Sequence, residues 1–223
     1  MVFYGGLIFG LLAAVLYSKA ASLPLANLLD ALAPGVAAGL ALGRIGCFMA
    51  GCCWGDICVS RGELVKLPPP ASDWQVHTIP LVSGAGFPLA VRFPEESGAI
   101  EQHRALGLIG PQTERSLPVH PVQIYEAILA FGLCVFLHRR FRARRWEGQI
   151  VCWMIFGYAA IRFGMEFLRA DNAPIYFGLT LSQVISVVLG AASAMAMFAR
   201  SRRVRSARTA QTESQGPALS APS

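Results

Sequence analysis

Five apolar stretches, each close to the length of a membrane-crossing helix, constrain this 223-residue chain more than any other feature. A helix needs about 20 mostly apolar residues to cross the hydrocarbon core of a bilayer. Only 14% of the residues are charged, against about 25% in ordinary soluble domains. The sequence therefore predicts an all-α polytopic membrane protein with about five transmembrane helices. The stretches are Val2–Ser18, Leu25–Leu42, Gln123–Leu137, Gln149–Leu168 and Phe177–Phe198.

A long polar segment, rich in Pro and Gly, separates the second apolar stretch from the third. It predicts a small extracytoplasmic head, with a short strand at Pro88–Phe93 and a helix around Ala99–Leu108. The segment after Arg200 is polar and poor in aromatic residues, which is typical of a disordered tail. The expected division is 1–54 for the first two helices, 55–119 for the head, 120–199 for the last three helices and 200–223 for the tail.

Two basic runs, 139–145 and 200–208, each follow an apolar stretch directly. Such runs mark cytoplasmic loops and attract anionic lipid head groups. Nucleic acid is not an expected partner, because no aromatic and basic residues interleave and no binding motif is present. The resulting topology places the first residue outside, directly on a helix. We therefore expect that the start is truncated or misassigned and that further helices precede this sequence.

The fourth apolar stretch carries a polar stripe of Tyr158, Arg162, Glu166 and Arg169. Spacings of three and four residues place all of them on one helix face. Charges inside a membrane helix are costly, so each one suggests a function. Two readings fit: a structural ion pair of Arg162 with Glu166, and a site at which the guanidinium grips the phosphate of an anionic lipid.

The second apolar stretch carries Asp30 near its start, and Arg44 follows shortly after its end. Between them, Gly35, Gly39 and Gly43 form a small-residue ridge, which predicts close helix packing. Arg44 lies between glycines in Gly43-Arg44-Ile45-Gly46, at the expected outer boundary of the membrane. It suits an anionic head group, and a snorkelling interfacial arginine is the alternative.

Four cysteines follow Arg44 within a short segment: Cys47, Cys52, Cys53 and Cys58. Their spacing does not match the paired cysteines of common zinc sites, so support for a metal site is weak. A disulfide or small packing residues are the other readings. Cys134 and Cys152 lie within apolar stretches and are expected to be inert.

The third apolar stretch opens on a polar cluster of His120, Gln123, Tyr125 and Glu126. This is more polarity than packing requires at a membrane boundary. His120 can serve as a general base near neutral pH, or it can cap the helix. The sequence spacing indicates no polar partner for the other histidines, so they are expected to be exposed to solvent. These are His77, His103 and His138.

Four segments form a pattern that goes beyond these separate readings. They are Tyr4-Gly5-Gly6-Leu7-Ile8, Asp30…Pro34…Gly43-Arg44-Ile45-Gly46, His120-Pro121-Val122-Gln123-Ile124-Tyr125-Glu126 and Tyr158…Arg162-Phe163…Glu166-Phe167…Arg169. In order and spacing they resemble the prolipoprotein diacylglyceryl transferases of bacterial inner membranes. The resemblance runs from Phe3 to about Met197, and the combination is specific.

The resemblance implies transfer of the diacylglyceryl group of phosphatidylglycerol to the lipobox cysteine thiol of a prolipoprotein, with release of glycerol phosphate. It implies seven spans with an outer amino terminus, which agrees with two helices upstream of this chain. The implied place is the bacterial inner (cytoplasmic) membrane, with the active site towards the outer leaflet. The implied partners are phosphatidylglycerol, the prolipoprotein signal peptide with its lipobox, and the bilayer, for a monomer without metal or organic cofactor.

The resemblance also assigns roles to residues of this chain. Arg44 and Arg162 hold the phosphate of the lipid, and Glu166 orients Arg162. His120 and Tyr4 are the candidates for proton transfer. The other residues expected at the substrate site are Gly5, Gly6, Gly43, Gly46, Gln123, Tyr125, Glu126, Tyr158 and Arg169.

Four departures from the family pattern bear on the chemistry. Tyr4 stands where the family commonly has a histidine that is proposed as the base. Cys47, Ala50 and Cys52 replace two asparagines and a glutamate. An ordinary tyrosine, with a pKa near 10, is a poor base at neutral pH. The base is therefore open between Tyr4, His120 and His103. Two other functions stay open as well: a non-catalytic relative that binds anionic phospholipid, and a thiol-redox or metal-handling membrane protein.

Overall fold

The computed structural model describes residues 2–58, 88–169 and 178–215, and most of these residues are helical. Within them there is no strand, only isolated β-bridges such as Val91 with Val119. A bridge therefore stands where the sequence predicts a short strand at Pro88–Phe93. The helices are α1 (Val2–Ala20), α2 (Leu25–Met49), α3 (Gly98–Ala105), α4 (Val122–Phe141), α5 (Gln149–Glu166) and α6 (Leu181–Gln215).

A helix occurs at each of the five predicted apolar stretches, because each is long, apolar and free of strong helix breakers except Pro34. Among the described residues, three segments are long and apolar enough to cross a membrane: Leu25–Met49, Val122–Phe141 and Leu181–Ala207. The prediction of a helical membrane protein is confirmed. The apolar part of α1, Ile8–Ala20, is shorter.

The packed face of α2 is formed by alanines rather than glycines. Ala33, Ala37 and Ala41 are buried, and the first two join Leu133 of α4 and Ile150 of α5 in one core. A Cβ added at Gly35, Gly39 or Gly43 would meet no atom of the described residues within 4 Å. Within the part of the chain that the structure describes, the predicted glycine packing ridge is therefore wrong. Both rows repeat every four residues, so periodicity alone does not distinguish the packed row from the open one.

A small unit formed by residues 51–58 and 88–119, here called the head, has its own apolar core. Ile57, Phe93, Ala99 and Val119 are buried in it. A seam of main-chain hydrogen bonds joins the head to the long helices. Gly55 N–H donates to the His120 carbonyl at 3.0 Å, Asp56 N–H to the Leu168 carbonyl at 2.8 Å, and His120 N–H to the Asp56 carbonyl at 3.0 Å.

Glycine is required at position 55 by the closeness of this seam. A Cβ there would lie 2.6 Å from the His120 oxygen and 2.8 Å from the Leu168 oxygen. Both obstacles are backbone atoms, which cannot rotate away as a flexible side chain can. The three chain segments consequently meet at van der Waals distance beside the carboxyl ends of α2 and α5 and the beginning of α4.

The carboxyl end of α6 differs from the sequence prediction. The helix continues past Arg200 to Gln215, where a disordered tail is expected from the composition. The segment 200–215 contains no Gly or Pro, and Arg, Ala and Gln are good helix formers. Polarity predicts solvent exposure of this segment, and it does not by itself oppose a helix.

Asp30 joins α2 to the beginning of α5. Its side chain is fully buried. One carboxylate oxygen accepts from Ile150 N–H at 2.9 Å and Val151 N–H at 3.0 Å, and the other accepts from Gly148 N–H at 2.9 Å. Arg144 adds an ion pair at 3.5 Å. The first N–H groups of a helix have no partner within the helix, so a carboxylate there stabilises it.

Replacing Asp30 with Ala should lower the thermal midpoint of the protein in detergent strongly. The change leaves three amide groups without an acceptor, and each buried unsatisfied group costs about 1–3 kcal/mol. Glu147→Ala is the matched control, because Glu147 is an exposed acid beside the same helix start. Equal midpoints for the two variants would contradict the structural role of Asp30.

Candidate functional site

Two arginines and two glutamates form a continuous chain across α2, α4 and α5, here called the charge chain. Arg44 Nη2 lies 2.9 Å from Glu126 Oε1. Arg162 Nη1 lies 4.0 Å from the same oxygen, and Arg162 Nη2 lies 3.0 Å from Glu166 Oε2. The ion pair of Arg162 with Glu166 that the helical spacing indicates is confirmed. The pairing of Arg44 with Glu126 adds a contact between two helices.

The acidic and basic members of the charge chain differ in exposure. The side chains of Glu126 and Glu166 are at most 1% exposed, whereas those of Arg44 and Arg162 remain 18% and 16% exposed. Arg162 Nη1 makes no hydrogen bond with the described residues. Buried carboxylates thus hold two guanidinium groups that keep donor capacity, as an anion site requires.

Thr180 and Gln183 fix Glu166 from the side of α6. Thr180 Oγ1 donates to Glu166 Oε1 at 2.7 Å. Thr180 N–H donates to Gln183 Oε1 at 3.0 Å, and Gln183 N–H donates to Thr180 Oγ1 at 3.3 Å. This is a capping box at the start of a helix. The sequence reasoning did not use it, although Thr180-Leu181-Ser182-Gln183 carries the required spacing.

Further polar groups surround the two arginines. The Tyr158 hydroxyl and the Arg169 guanidinium both lie close enough to the Arg44 guanidinium to interact with it electrostatically. Arg162 Nη2 also donates to Ser182 Oγ at 3.2 Å. The structure therefore brings Tyr158 and Arg169 to the charge chain, and it adds Ser182, which sequence reasoning missed.

Gln123 connects the charge chain to the loop after α2. It lies one turn before Glu126 on α4 and is 1% exposed. Its Nε2 donates to the Cys52 carbonyl at 2.8 Å. Its Oε1 makes no hydrogen bond with the described residues, which leaves one buried acceptor on this side chain.

His120 and Tyr125 lie together at the seam between the head and α4. Their ring centroids are 6.4 Å apart, and the His120 side chain is buried. Burial lowers the pKa of His120, so the imidazole is neutral at neutral pH, as a base must be.

His103 is buried as well, contrary to the expected solvated position. It lies on α3, where its Nδ1 accepts a hydrogen bond from Leu117 N–H at 3.2 Å. Burial lowers the pKa of His103 to about 4. The histidine therefore serves the packing of the head as a neutral acceptor. His77 lies outside the described residues.

The cysteines after Arg44 divide into a cluster and a buried member. The sulfur atoms of Cys47, Cys52 and Cys53 all lie within 4.8 Å of one another, and we call these three residues the thiol cluster. Burial, with the thiols of Cys53 and Cys47, raises the pKa of Cys52 to about 12. Cys58 is buried apart from them, and none of the described cysteines forms a disulfide.

The predicted glycines of the site border open space. A Cβ added at Gly6, Gly43 or Gly46 would meet no atom within 4 Å among the residues that the structure describes. Tyr4 and Gly5 lie in the first turns of α1. Their roles in substrate binding or catalysis stay predictions, since only the backbone of this part is described.

Asp56, which sequence reasoning did not single out, is buried at the seam. Its Oδ1 accepts from Ile57 N–H at 2.7 Å, while Oδ2 makes no hydrogen bond with the described residues. Burial raises the pKa of Asp56 from 3.8 to about 7. The folded protein therefore holds this proton at pH values where the unfolded chain has lost it.

The contribution of Asp56 to stability should consequently fall as the pH rises from about 4 to about 7, while the lowered pKa of His103 contributes in the opposite direction over an overlapping range. At Asp56 the unfolded state binds fewer protons than the folded state in this window, which lowers the free energy of unfolding, and the difference in slope between wild type and variant isolates this contribution. Asp56→Asn, which keeps the acceptor for Ile57, should remove a few kcal/mol of this pH dependence, at about 1.4 kcal/mol for each unit of pKa. Thermal midpoints across this range check it, and an unchanged slope in the variant would refute it.

Comparison with known proteins places this arrangement in a family. A family model described as prolipoprotein diacylglyceryl transferase matches residues 1–199. Among curated relatives, the phosphatidylglycerol–prolipoprotein diacylglyceryl transferase of Xylella fastidiosa (strain M12) is 32% identical over 194 residues, covering 85% of this chain and 59% of the relative. The enzyme of the same name from Clostridium tetani is 29% identical, covering 83% and 58%.

The same-named enzyme of Burkholderia multivorans is 29% identical over 215 residues, covering 94% of this chain and 67% of the relative. The chain spans about three fifths of the length of the first two relatives. The match to the family model covers every described helix of the charge chain. The chain therefore belongs to the prolipoprotein diacylglyceryl transferase family.

Proposed function

We propose that this chain transfers the diacylglyceryl group of phosphatidylglycerol to the lipobox cysteine thiol of a prolipoprotein. One observation carries the proposal: Arg44 and Arg162, on different helices, are held by the buried Glu126 and keep part of their surface exposed. Two guanidinium groups that share one carboxylate oxygen suit a phosphodiester. The names of the relatives state the same lipid and the same class of acceptor protein.

The proposed transfer requires a thiolate nucleophile and stabilisation of the leaving phosphate group. The thiolate attacks the glycerol carbon that bears the phosphate ester, so a sulfur–carbon bond forms and the carbon–oxygen bond breaks. The departing glycerol phosphate gains negative charge as the bond breaks. Arg44 and Arg162 stabilise that charge, and donors that are already in place lower the barrier most. Glu166 and Ser182 keep Arg162 oriented.

His120 is the proposed proton acceptor, with Tyr4 as the alternative. A neutral imidazole beside Tyr125 meets the requirement for a base, and burial favours the neutral form. The proposed walls of the substrate site are formed by polar side chains and by glycines that border open space. The polar residues are Gln123, Tyr125, Tyr158 and Arg169, and the glycines are Gly43 and Gly46, with Gly5 and Gly6 on α1.

The proposed setting is the bacterial inner membrane, with α1, α2, α4, α5 and α6 as five spans. The basic residues 139–145 and 200–208 support a cytoplasmic position for the loop after α4 and for the end of α6. The charge chain and the head then lie at the outer leaflet. The protein acts as a monomer in this proposal, and its partners are phosphatidylglycerol, the lipobox segment of the signal peptide and the bilayer.

Mass spectrometry of a lipobox peptide tests the proposal directly. The peptide is incubated with the full natural protein and phosphatidylglycerol in detergent, and a peptide with Ser in place of Cys is the control. A diacylglyceryl adduct on the cysteine alone is the expected result. Lipid binding without an adduct would instead indicate a relative that binds phospholipid and has lost transfer.

A further inference from the structure

Among the described residues, the thiol cluster is a chemically reactive group of side chains near the charge chain that the proposed transfer does not use. Cys47 lies in the last turn of α2, and Cys52 and Cys53 follow in the next loop. The backbone turns back through left-handed conformations at Gly51 (φ 63°) and Cys53 (φ 59°). A positive φ is uncommon for a residue other than glycine and points to a local constraint at a functional site.

The geometry of the cluster fits a zinc ion. Zinc bonds to thiolate sulfur at about 2.3 Å, which places sulfur atoms about 3.8–4.0 Å apart in a shared site. The three sulfurs already lie within 4.8 Å of one another, so small rotations of the side chains suffice. Sulfur-only ligand sets favour zinc, copper(I) or iron–sulfur clusters, and clusters usually need four cysteines.

Three protein ligands leave the fourth position of zinc open, as in catalytic zinc sites. All three cysteines are partly exposed, so an incoming thiol can reach the metal. The cluster also lies beside the charge chain. Cys47 follows Arg44 by one turn on α2, Gln123 precedes Glu126 by one turn on α4, and Gln123 Nε2 bonds to the Cys52 carbonyl at 2.8 Å. One helical turn is about 5.4 Å along the axis.

We propose that Cys47, Cys52 and Cys53 bind a zinc ion whose open position takes the thiol of the acceptor cysteine. The inference rests on the proposed transfer, because that reaction requires a thiolate nucleophile. Glu126 and Glu166 are both committed to ion pairs with arginines, and a metal-bound thiol is deprotonated without a strong base.

The proposed step is a nucleophilic displacement that involves no net oxidation or reduction. The acceptor thiol binds zinc and gives its proton to His120, the acceptor proposed above. The zinc-bound sulfur attacks the glycerol carbon of the lipid, a carbon–sulfur bond forms and the carbon–oxygen bond breaks. Glycerol phosphate leaves with the electron pair of that bond, and the thioether product, a weak ligand, leaves the metal.

Cobalt(II) is the probe for the site, since its thiolate complexes absorb light where zinc complexes do not. The full protein, purified anaerobically with reductant, should bind one zinc per chain, and cobalt should give a thiolate charge-transfer band. Addition of a lipobox peptide should shift that band, and the same peptide with Ser in place of Cys should not.

Substitution of any one cysteine of the thiol cluster should weaken zinc binding at least tenfold; the variants are Cys47→Ser, Cys52→Ser and Cys53→Ser. The control is Cys134→Ser, which changes a cysteine outside the cluster and should bind zinc as the wild type does.

The inference is overturned if the reduced protein holds no metal, holds copper(I) in place of zinc, or has a disulfide within the thiol cluster. It is also overturned if Cys52→Ser binds zinc as the wild type does, or if the peptide does not shift the cobalt charge-transfer band. An adduct formed at full rate by metal-free protein also overturns it while the transfer stands. Zinc binding with a peptide-induced shift, but without any adduct, supports the metal site and refutes the proposed transfer.

Discussion

Arg162→Ala should lower kcat/KM for diacylglyceryl transfer by at least 10²–10³-fold, the scale of losing one preorganised donor to a developing negative charge. Arg162→Lys should recover only part of the rate, because an ammonium group cannot form the paired hydrogen bonds of a guanidinium with phosphate. The measurement is the initial rate of adduct formation on a lipobox peptide at several phosphatidylglycerol concentrations.

Loss of Arg162 also affects folding, and a second variant separates the two effects. Glu166 is fully buried against Arg162 at 3.0 Å, and breaking a buried pair from one side costs about 3–5 kcal/mol. Arg162→Met combined with Glu166→Gln removes both charges and should regain most of the thermal midpoint without regaining transfer. A double variant that transfers at the wild-type rate would exclude Arg162 from the phosphate site.

Glu126→Gln should lower kcat about 10²-fold while the KM for phosphatidylglycerol stays level or falls. The carboxylate lies between Arg44 and Arg162, so its loss frees both guanidiniums from their shared anchor. The added positive charge favours an anionic lipid, but misplacement of catalytic groups by about 1 Å costs about 10²-fold in rate. Glu126 is thus a positioning residue.

The control for Glu126 is Glu101→Gln, which removes an exposed carboxylate from α3. It should leave both kinetic constants unchanged. An increase in KM with unchanged kcat in Glu126→Gln would contradict the positioning role, and would indicate that Glu126 contacts the lipid itself.

Local periodicity accounts for the part of this site that the sequence predicts well. Tyr158, Arg162 and Glu166 recur every four residues on one helix, so their shared face follows from helix geometry. The pair of Arg44 with Glu126 depends on how α2 packs against α4. No spacing along the chain contains that information, and sequence reasoning placed the two residues in one site only through family resemblance.

Other features of the structure depend on tertiary packing and were not predicted correctly from local sequence patterns. The alanine row and the glycine row of α2 have the same repeat, and only the partner helices select the packed one. The sequence around His103 is polar, yet the imidazole lies in the head core as an acceptor for Leu117 N–H. The closeness of the three thiols depends on left-handed turns at Gly51 and Cys53, of which only the first falls on a residue that favours them.

The seam at Gly55 has a consequence for protein engineering. The hydrogen bonds of the seam use only main-chain atoms, and the bond from Gln123 Nε2 ends on the main-chain carbonyl of Cys52, so exchange of the exposed side chains of the head leaves them in place. The outer surface of the head can therefore accept fluorophores, affinity tags or altered charge without moving α4. Gly55 itself is the exception, because any side chain there meets two carbonyl oxygens.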